Sequence, residues 1–388
     1  MNVATVYKRT WETKAGERRS AWMVSYADKD GQRHRKQFTL KRDADDERVR
    51  VEGQLATGTH VPDKGSMTVL DAARAFLADF EGLVKAEKRD RETQRMYGQF
   101  VNLHLAPFAI ANETLSRLTG PTCKQYAKDL ERKRSEKLGP RVFKAFRMIV
   151  RFAQSEGWIS GNPTESVSVR TTSEGAQEED ALEIPSKEQL RALVKATAAF
   201  DATGMASALV SLLLFGGLRS SELRGARLVD VKFPVRSFQV RQTADRWQRL
   251  GRVKTKNARR TIPLPDHTIR ALRRWIKKAP LKSEGLLFPN GAGKVESYAN
   301  LYHRVWVPLM AKAKLVGDDE VPLFGMHALR HAAVSLWIES GATPKKVMTW
   351  AGHASVQFTM DTYGHLWADA TGDRAIAAAI ERSVLAKS

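Results

Sequence analysis

The stretch FGMHALRHAAVSLWIESG, residues 324–341, predicts a helix whose two sides differ in chemistry. At helical spacing, His327, Arg330 and His331 occupy positions i, i+3 and i+4 and share one face, while the apolar residues between them face the core. A face of this kind can bind a metal, form hydrogen bonds inside a core, or hold an anion. The remainder of the chain has to decide among these three interpretations.

The metal interpretation fails on local sequence. Paired histidines at i and i+4 bind zinc in proteases when a glutamate directly follows the first histidine, whereas here Ala328 follows it. The cationic Arg330 between the two histidines would also repel a metal ion. We therefore expect no metal at this stretch.

Composition points to a polyanionic partner. The 388 residues contain 64 Lys and Arg against 43 Asp and Glu, a net charge of +21, which favours nucleic acid as the partner. We expect no membrane partner, because the chain has no long apolar run and no basic amphipathic anchor. The N-terminus lacks the apolar core of a secretory signal. The single Cys123 excludes an internal disulfide, and we expect a cytoplasmic location.

The sequence divides into an α+β multidomain chain. Residues 1–60 predict a three-stranded sheet and a helix, and residues 1–40 carry nine Lys and Arg against four Asp and Glu. That sheet either enters a DNA groove or has an ordinary solvated face. Residues 66–171 predict a helical domain. After an acidic linker, Ser186 begins a helix with Gln189 at the capping-box position, and residues 180–388 form a mixed, mainly α-helical domain with a small antiparallel sheet.

A candidate anion ligand follows an apolar helix in ALVSLLLFGGLRSSELRGARL, residues 208–228. The helix is predicted to end at Gly216 and Gly217, and Arg219 lies on the turn before a second helix. A guanidinium at the mouth of an apolar element is costly without an anionic partner. That partner is either Glu222, in an internal ion pair, or an external anion.

A basic run, residues 237–265, predicts two strands around Val253 and Thr261 joined by the turn TKNA. Basic hairpin tips are either solvated or contact phosphates. The cationic residues of this tip are Lys254, Lys256, Arg259 and Arg260.

The last motif is MTWAGHASVQFTMDTYGHL, residues 348–366, which supplies His353 and Tyr363. A solitary tyrosine is ordinarily structural, so Tyr363 alone indicates little. The glycine-rich PNGAGKVES, residues 289–297, lacks the spacing and the Ser or Thr after Lys294 that a nucleotide-binding loop needs.

Four of these motifs together resemble a known family. GGLRSSEL, VKTKNARRTIPLP, HALRH and AGHASVQFTMDTYGHL occur in the order found in the tyrosine recombinases, or phage-type integrases. The resemblance covers nearly the whole of residues 180–388. Residues 66–171 are similar to the family's core-binding domain, and the N-terminal sheet is similar to the arm-binding domain of phage and genomic-island integrases.

The resemblance implies a role for each motif residue. It implies that Arg219 and Arg330 form a phosphate clamp and that Lys254 is an acid for the leaving oxygen. It further implies that His327 is an acid/base group, His353 a further phosphate contact and Tyr363 the nucleophile. Supporting positions are Glu222, His331 and Lys256. The insertion ADRWQRLGR, residues 244–252, departs from the family pattern, and Lys254 and Lys256 lie on the same short turn, so either lysine can be the acid.

The chemistry of strand transfer is consistent with these residue types. Two guanidinium groups can hold the non-bridging oxygens of a phosphodiester as its negative charge grows. A tyrosine hydroxyl has a pKa of about 10 and needs a base or a cationic setting. The departing 5′ oxygen needs a proton, which a lysine or a histidine can give. A phosphotyrosyl bond conserves the energy of the broken linkage, so we expect neither a nucleotide cofactor nor a metal.

The resemblance implies a site-specific DNA recombinase of a mobile genetic element, nucleoid-associated in a bacterial cell. Its partners would be double-stranded DNA attachment sites, three further copies in a homotetramer that forms a Holliday junction, and an accessory excision or host DNA-bending protein. One alternative is a type IB topoisomerase-like strand transferase, which the N-terminal domain and the HALRH motif disfavour. The other is a non-catalytic basic DNA-binding regulator, which the intact set of motif residues disfavours.

Overall fold

The computed structural model describes residues 4–14, 16–28, 31–56, 67–169, 184–253, 258–279 and 285–367. The chain forms two compact units, residues 1–180 and residues 181–388. The predicted domain boundaries at residues 60, 66, 171 and 180 lie outside the described residues, as do Lys254 and Lys256. The three-domain division therefore stays a prediction.

The first unit begins with an antiparallel sheet, as predicted. Its strands have the order β1-β2-β3, with Val6 opposite Val24 and Tyr26 opposite His34. Alternate residues of the central strand, including Val24 and Tyr26, are buried beneath a helix that contributes Ala44. These elements are β1 (Thr5–Glu12), β2 (Arg18–Ala27), β3 (Arg33–Phe38) and α1 (Lys41–Ala56).

Helices make up the remainder of the first unit. The longer helices bury apolar stripes in a shared core, as the 3.6-residue spacing predicts, and Tyr126, Phe146 and Ile149 are among its most deeply buried side chains. The helices are α2 (Val69–Lys85), α3 (Arg91–Gln99, continued by a π-helical turn Phe100–Leu105), α4 (Gly120–Lys133) and α5 (Leu138–Ser155).

The second unit is mainly helical around one large apolar core. Its first helix begins as predicted, because Ser186 accepts a hydrogen bond from the Gln189 backbone N–H and Gln189 reaches back to Ser186. The helices of this unit are α6 (Lys187–Ala198), α7 (Met205–Leu214), α8 (Ser220–Arg224), α9 (Asp266–Lys278), α10 (Tyr298–Asn300), α11 (Val307–Lys312), α12 (Ala328–Glu339), α13 (Pro344–Ala351) and α14 (Val356–Tyr363). A π-helical turn, Leu301–Trp306, joins α10 to α11.

The strand pairing of the second unit differs from the prediction. The two strands that flank the TKNA turn do not pair with each other: Val240 lies opposite Arg260 in one sheet, and Thr243 lies opposite Gly251 in another. The predicted hairpin is therefore wrong, because the inserted segment folds back on itself and leaves the following strand to pair with an earlier one. The strands are β4 (Val231–Lys232), β5 (Ser237–Val240), β6 (Gln242–Ala244), β7 (Leu250–Arg252) and β8 (Arg260–Pro263), with orders β4-β5-β8 and β6-β7.

These observations confirm an α+β chain that is mostly helical and begins with a three-stranded sheet. Across the described part of the chain, no helix has the length and apolar character needed to cross a bilayer.

Candidate active site

Ends of four elements in the second unit converge on one site. Arg219 is the residue before α8, His327 the residue before α12, and Tyr363 the last residue of α14. His353 follows α13, whose carboxyl end is turned by Gly352 at φ +65°. Residues that are far apart in the chain thereby meet in space, as the contacts below show.

Arg330 lies in the first turn of α12 and is 3% exposed. Its Nη1 donates to the Gly217 carbonyl at 2.7 Å and its Nη2 donates to the Ala351 carbonyl. Burial, followed by the positive charge of the nearby Arg219, lowers the pKa of Arg330 to about 9. The guanidinium is thus still charged at neutral pH, and it is held by backbone rather than by a carboxylate partner of its own.

Gly217 permits this arrangement. Its φ is +58°, and a Cβ at this position would lie 2.6 Å from the Trp337 ring. Only glycine adopts that conformation at no steric cost, so the GG pair in the sequence serves to present the Gly217 carbonyl to Arg330.

Arg219 is the more accessible of the two predicted clamp residues. Its Nη1 donates to Glu222 Oε1 at 3.0 Å, its Nη2 donates to the Gly352 carbonyl at 3.4 Å, and its side chain is 37% exposed. The carboxylate and the carbonyl fix one side of the guanidinium, while solvent reaches the other. The internal Arg219–Glu222 pair and an external anion are therefore compatible in this geometry.

Glu222 is buried between two arginines. Arg260 donates from Nη1 and Nη2 to the two carboxylate oxygens, both at 2.8 Å, and Arg219 bonds the same carboxylate. Burial would raise the pKa of Glu222, but the hydrogen bonds and charge of Arg260, with those of Arg219, hold that pKa at about 2. Arg260 is 1% exposed in its side chain, so its guanidinium is used inside the protein. Neither alternative for the basic tip, solvation or a phosphate contact, holds for this residue.

Tyr363 is enclosed by histidines. Its hydroxyl lies 2.6 Å from His331 Nδ1, its ring stacks on His353 with a centroid separation of 6.1 Å and an angle of 6°, and the residue is 2% exposed. Burial raises the pKa of the Tyr363 hydroxyl, and the nearby Arg330 and Arg219 only partly offset this. The hydroxyl is therefore protonated at rest.

The two histidines against Tyr363 are neutral at pH 7. Burial, followed by the charges of His327 and Arg330, lowers the pKa of His331 to about 4. Burial, followed by the charges of Arg330 and Arg219, lowers the pKa of His353 to about 3. A neutral His331 can accept the hydrogen bond from Tyr363.

His327 and His331 share the predicted face of α12. Their rings are 4.9 Å apart at an angle of 89°, and His327 is exposed. In the described ranges no group of three or more His, Cys, Asp and Glu residues could hold a metal ion. The structure thus brings together Arg219, Glu222, His327, Arg330, His331, His353 and Tyr363, whereas Lys254 and Lys256 lie outside the described residues.

Sequence reasoning missed two residues that support this site. Thr359 is fully buried and its hydroxyl lies 2.8 Å from His353 Nδ1, while Arg260 bonds Glu222 as described. Thr359 lies one helical turn before Tyr363, so the spacing on α14 could have indicated it. Nothing local distinguishes Arg260 from Arg259 in a basic run.

The depressed histidine pKa values predict a pH dependence of stability. Between pH 6.5 and pH 4.5 the unfolded chain binds protons at His331 and His353 that the folded chain does not, so the free energy of unfolding should rise with pH across this window. The free energy of unfolding loses nothing to these two histidines above pH 6.5, and it decreases as the pH falls toward the pKa values that they have in the folded chain.

Urea unfolding of the full chain, followed by tryptophan fluorescence at a series of pH values, measures this dependence. The variant His331→Asn with His353→Asn should show a flatter dependence between pH 6.5 and pH 4.5. Equal slopes for the variant and the parent would contradict the assignment of neutral histidines.

The second unit resembles known proteins in sequence. Residues 185–369 match the phage integrase family. The chain is 28% identical over 179 residues to the transposase from transposon Tn916 of Enterococcus faecalis, covering 43% of each protein. The chain therefore spans less than half of the length of that relative.

Two groups of solved structures share the fold. A Tn1549 transposon integrase in complex with a circular intermediate DNA has a TM-score of 0.65 at 19% identity, covering 82% of this chain and 99% of that chain. A lambda integrase tetramer bound to a Holliday junction has a TM-score of 0.53 at 14% identity, covering 89% and 95%.

The sequence match and the shared fold agree on this part of the chain. Residues 185–369 form a domain of the phage integrase, or tyrosine recombinase, family.

Proposed function

We propose that this protein is a site-specific DNA recombinase, an integrase of a mobile genetic element, that cuts and rejoins DNA through a 3′-phosphotyrosyl intermediate. One observation carries the proposal: the Tyr363 hydroxyl is bonded to a neutral histidine at 2.6 Å, in a site with two guanidinium groups. Such a site favours an anionic phosphodiester beside a nucleophilic hydroxyl. The match of residues 185–369 to the phage integrase family supports the same reaction.

The reaction is a transesterification at the scissile phosphate. The Tyr363 oxygen forms a bond to phosphorus, the bond from phosphorus to the 5′ oxygen breaks, and the 5′ oxygen leaves with a proton. Arg219 and Arg330 hold the non-bridging oxygens, and their contribution is largest where negative charge develops. Religation reverses these steps with the 5′ hydroxyl of another strand.

The tyrosine proton passes to an imidazole in this scheme. His331 is placed to accept the hydrogen bond of the Tyr363 hydroxyl, and His327 lies one turn earlier on the same face. Both rings are poor bases, because burial and the nearby positive charges lower their pKa values. The negative charge of a bound phosphate would raise the pKa of each imidazole, so DNA binding itself prepares the site to receive the proton.

Domain roles follow from the same proposal. Residues 1–60 bind arm-type DNA sites, supported by the basic, aromatic-bearing sheet. Residues 66–171 form a core-binding domain, supported by a helical segment with its own apolar core, and residues 180–388 are the catalytic domain, where the family match lies.

The proposed partners are double-stranded attachment sites and three further copies of the chain. Support for the tetramer is the lambda integrase assembly on a Holliday junction, which shares the fold. An accessory excision protein or a host DNA-bending protein would set the direction of the reaction, and the protein would act at the bacterial nucleoid.

A recombination assay tests the proposed function. The purified chain is incubated with DNA carrying the joined ends of the element that contains its gene and with a matching target. Exchange of flanking DNA with a protein–DNA adduct stable in detergent is expected. Relaxation of supercoils on any sequence would indicate a topoisomerase-like enzyme instead, and binding without an adduct would indicate a regulator.

The turn lysines provide a separate prediction. Lys254→Ala should slow cleavage far more than Lys256→Ala, because Lys254 is proposed to protonate the leaving 5′ oxygen. A 5′-bridging phosphorothiolate has a leaving group that needs little protonation, so it should restore cleavage by Lys254→Ala. Single-turnover cleavage of the two substrates measures this. Rescue of Lys256→Ala alone would move the role to that lysine.

A further inference from the structure

Arg260 is a buried cation that contacts several parts of the active site. Its bidentate bonds to Glu222 have been described, and its Nε donates to the Trp350 carbonyl at 2.6 Å. Nη1 also donates to the Ala258 carbonyl at 3.2 Å, at the end of the lysine-bearing turn. All three guanidinium nitrogens are therefore engaged, on three separate segments of the chain.

The segment at the end of α13, residues 350–352, packs against this guanidinium. A Cβ on Gly352 would lie 2.9 Å from Arg260 Nη1 and 3.1 Å from its Cδ, and the φ of Gly352 is +65°. The carbonyls of this segment are acceptors for both clamp residues: Ala351 accepts from Arg330, and Gly352 accepts from Arg219.

Arg260 consequently contacts the groups that hold each clamp residue in place. It holds Glu222, which bonds the head group and the backbone N–H of Arg219. It also holds the Trp350 carbonyl, next to the residues whose carbonyls orient Arg330 and Arg219. Arg260 thus bonds the same two supports, Glu222 and the segment at residues 350–352, that Arg219 bonds from the solvent side.

We propose that Arg260 is a positioning residue that sets the geometry of the Arg219–Arg330 phosphate clamp, acting through Glu222 and the carbonyl segment at residues 350–352. The inference rests on the proposed strand-transfer function. Arg260 itself does not touch the phosphate, because its side chain is buried and its nitrogens are occupied.

Physical chemistry explains why an arginine is required. A buried ion pair is weak evidence for stability, because desolvation offsets the attraction, so geometry is the better reason for this one. The planar fork of arginine bonds a carboxylate in two places while its Nε reaches a third acceptor. Lysine keeps the charge but cannot make these bonds at fixed angles, so Arg260→Lys should leave the clamp residues mispositioned.

The experiment compares Arg260→Lys with the parent in single-turnover cleavage of a nicked suicide substrate at saturating protein. We expect cleavage to be slower by about 100-fold, since a small misplacement of catalytic groups costs about that factor. DNA affinity by band shift should change less than about threefold, because cleavage geometry rather than DNA binding is altered.

A second substrate separates positioning from general damage. A methylphosphonate at the scissile position carries a methyl group in place of one non-bridging oxygen and is neutral, so it needs less cationic stabilisation. The ratio of parent to Arg260→Lys rates should therefore be much smaller on methylphosphonate than on phosphate. Equal ratios on both substrates would overturn the inference.

Controls address folding and the underlying function. Arg147→Met removes a half-buried guanidinium that donates to the Thr164 and Val167 carbonyls of the first unit, and any loss it causes should be equal on both substrates. If Arg260→Lys unfolds, Glu222→Gln keeps the side-chain shape and should show the same substrate dependence. Absence of a covalent product from the parent would overturn the proposed function and this inference with it, whereas an active parent with equal ratios overturns the inference alone.

Discussion

Tyr363→Phe is expected to abolish the covalent protein–DNA complex while leaving DNA binding at the level of the parent. The substitution removes one oxygen atom, and that oxygen is the proposed nucleophile. The ring keeps its stacking on His353 and its apolar surroundings, which include Val334, Ile338 and Val347. The fold should therefore survive with a loss of roughly 1 kcal/mol for the missing hydrogen bond.

A nicked suicide substrate and a denaturing gel measure this result, because only a covalent adduct shifts under denaturing conditions. Tyr302→Phe is the matched control: Tyr302 lies in the same unit, stacks on Tyr298, and should still form the adduct. A shifted band from Tyr363→Phe would show that another side chain is the nucleophile.

Arg330→Lys is the second large effect, with an expected loss of cleavage of about 10²–10³-fold or more. The Arg330 guanidinium donates to the Gly217 and Ala351 carbonyls and is proposed to hold phosphate oxygens as well. A lysine ammonium is a compact point charge that cannot satisfy these acceptors in one plane. The loss should appear in the cleavage rate rather than in DNA affinity, because the charge on phosphorus oxygens grows in the transition state.

Single-turnover cleavage at saturating protein isolates that step from binding. Arg191→Lys is a suitable control, since Arg191 is exposed on α6 and pairs with Glu188 at 3.0 Å. A cleavage rate for Arg330→Lys within a few fold of the parent would contradict a direct role for Arg330 in the clamp.

Local sequence was sufficient for several features. The helical spacing of His327, Arg330 and His331 predicted their common face, and the capping pair at Ser186 predicted the start of α6. These features depend on residues within one or two turns of each other. Contacts of that range leave periodic or capping patterns that a single sequence displays.

Features that depend on distant partners were not predictable in the same way. The pairing of β8 with β5 skips over the β6–β7 segment. Strand order therefore depends on which of several strands pairs best with β8, and the alternation of apolar and polar residues within one strand does not reveal this. Arg260 is buried because Glu222, 38 residues earlier, lies beneath it. Neighbouring arginines in one basic run thus have opposite environments, and only the tertiary structure distinguishes them.

The β6–β7 segment also bears on where this chain can change in length. The insertion at residues 244–252 contains the turn and the second strand of a small two-stranded hairpin whose strands pair with each other. Its first residues are held by α8, because Arg224 donates to the Ala244 and Asp245 carbonyls. An extra residue at the turn, residues 246–249, would leave those contacts in place and lengthen the hairpin alone. In α12, by contrast, one added residue would rotate every later side chain by about 100° and separate His327 from His331. Length variation is therefore tolerated beside the site but not within the helices that carry it.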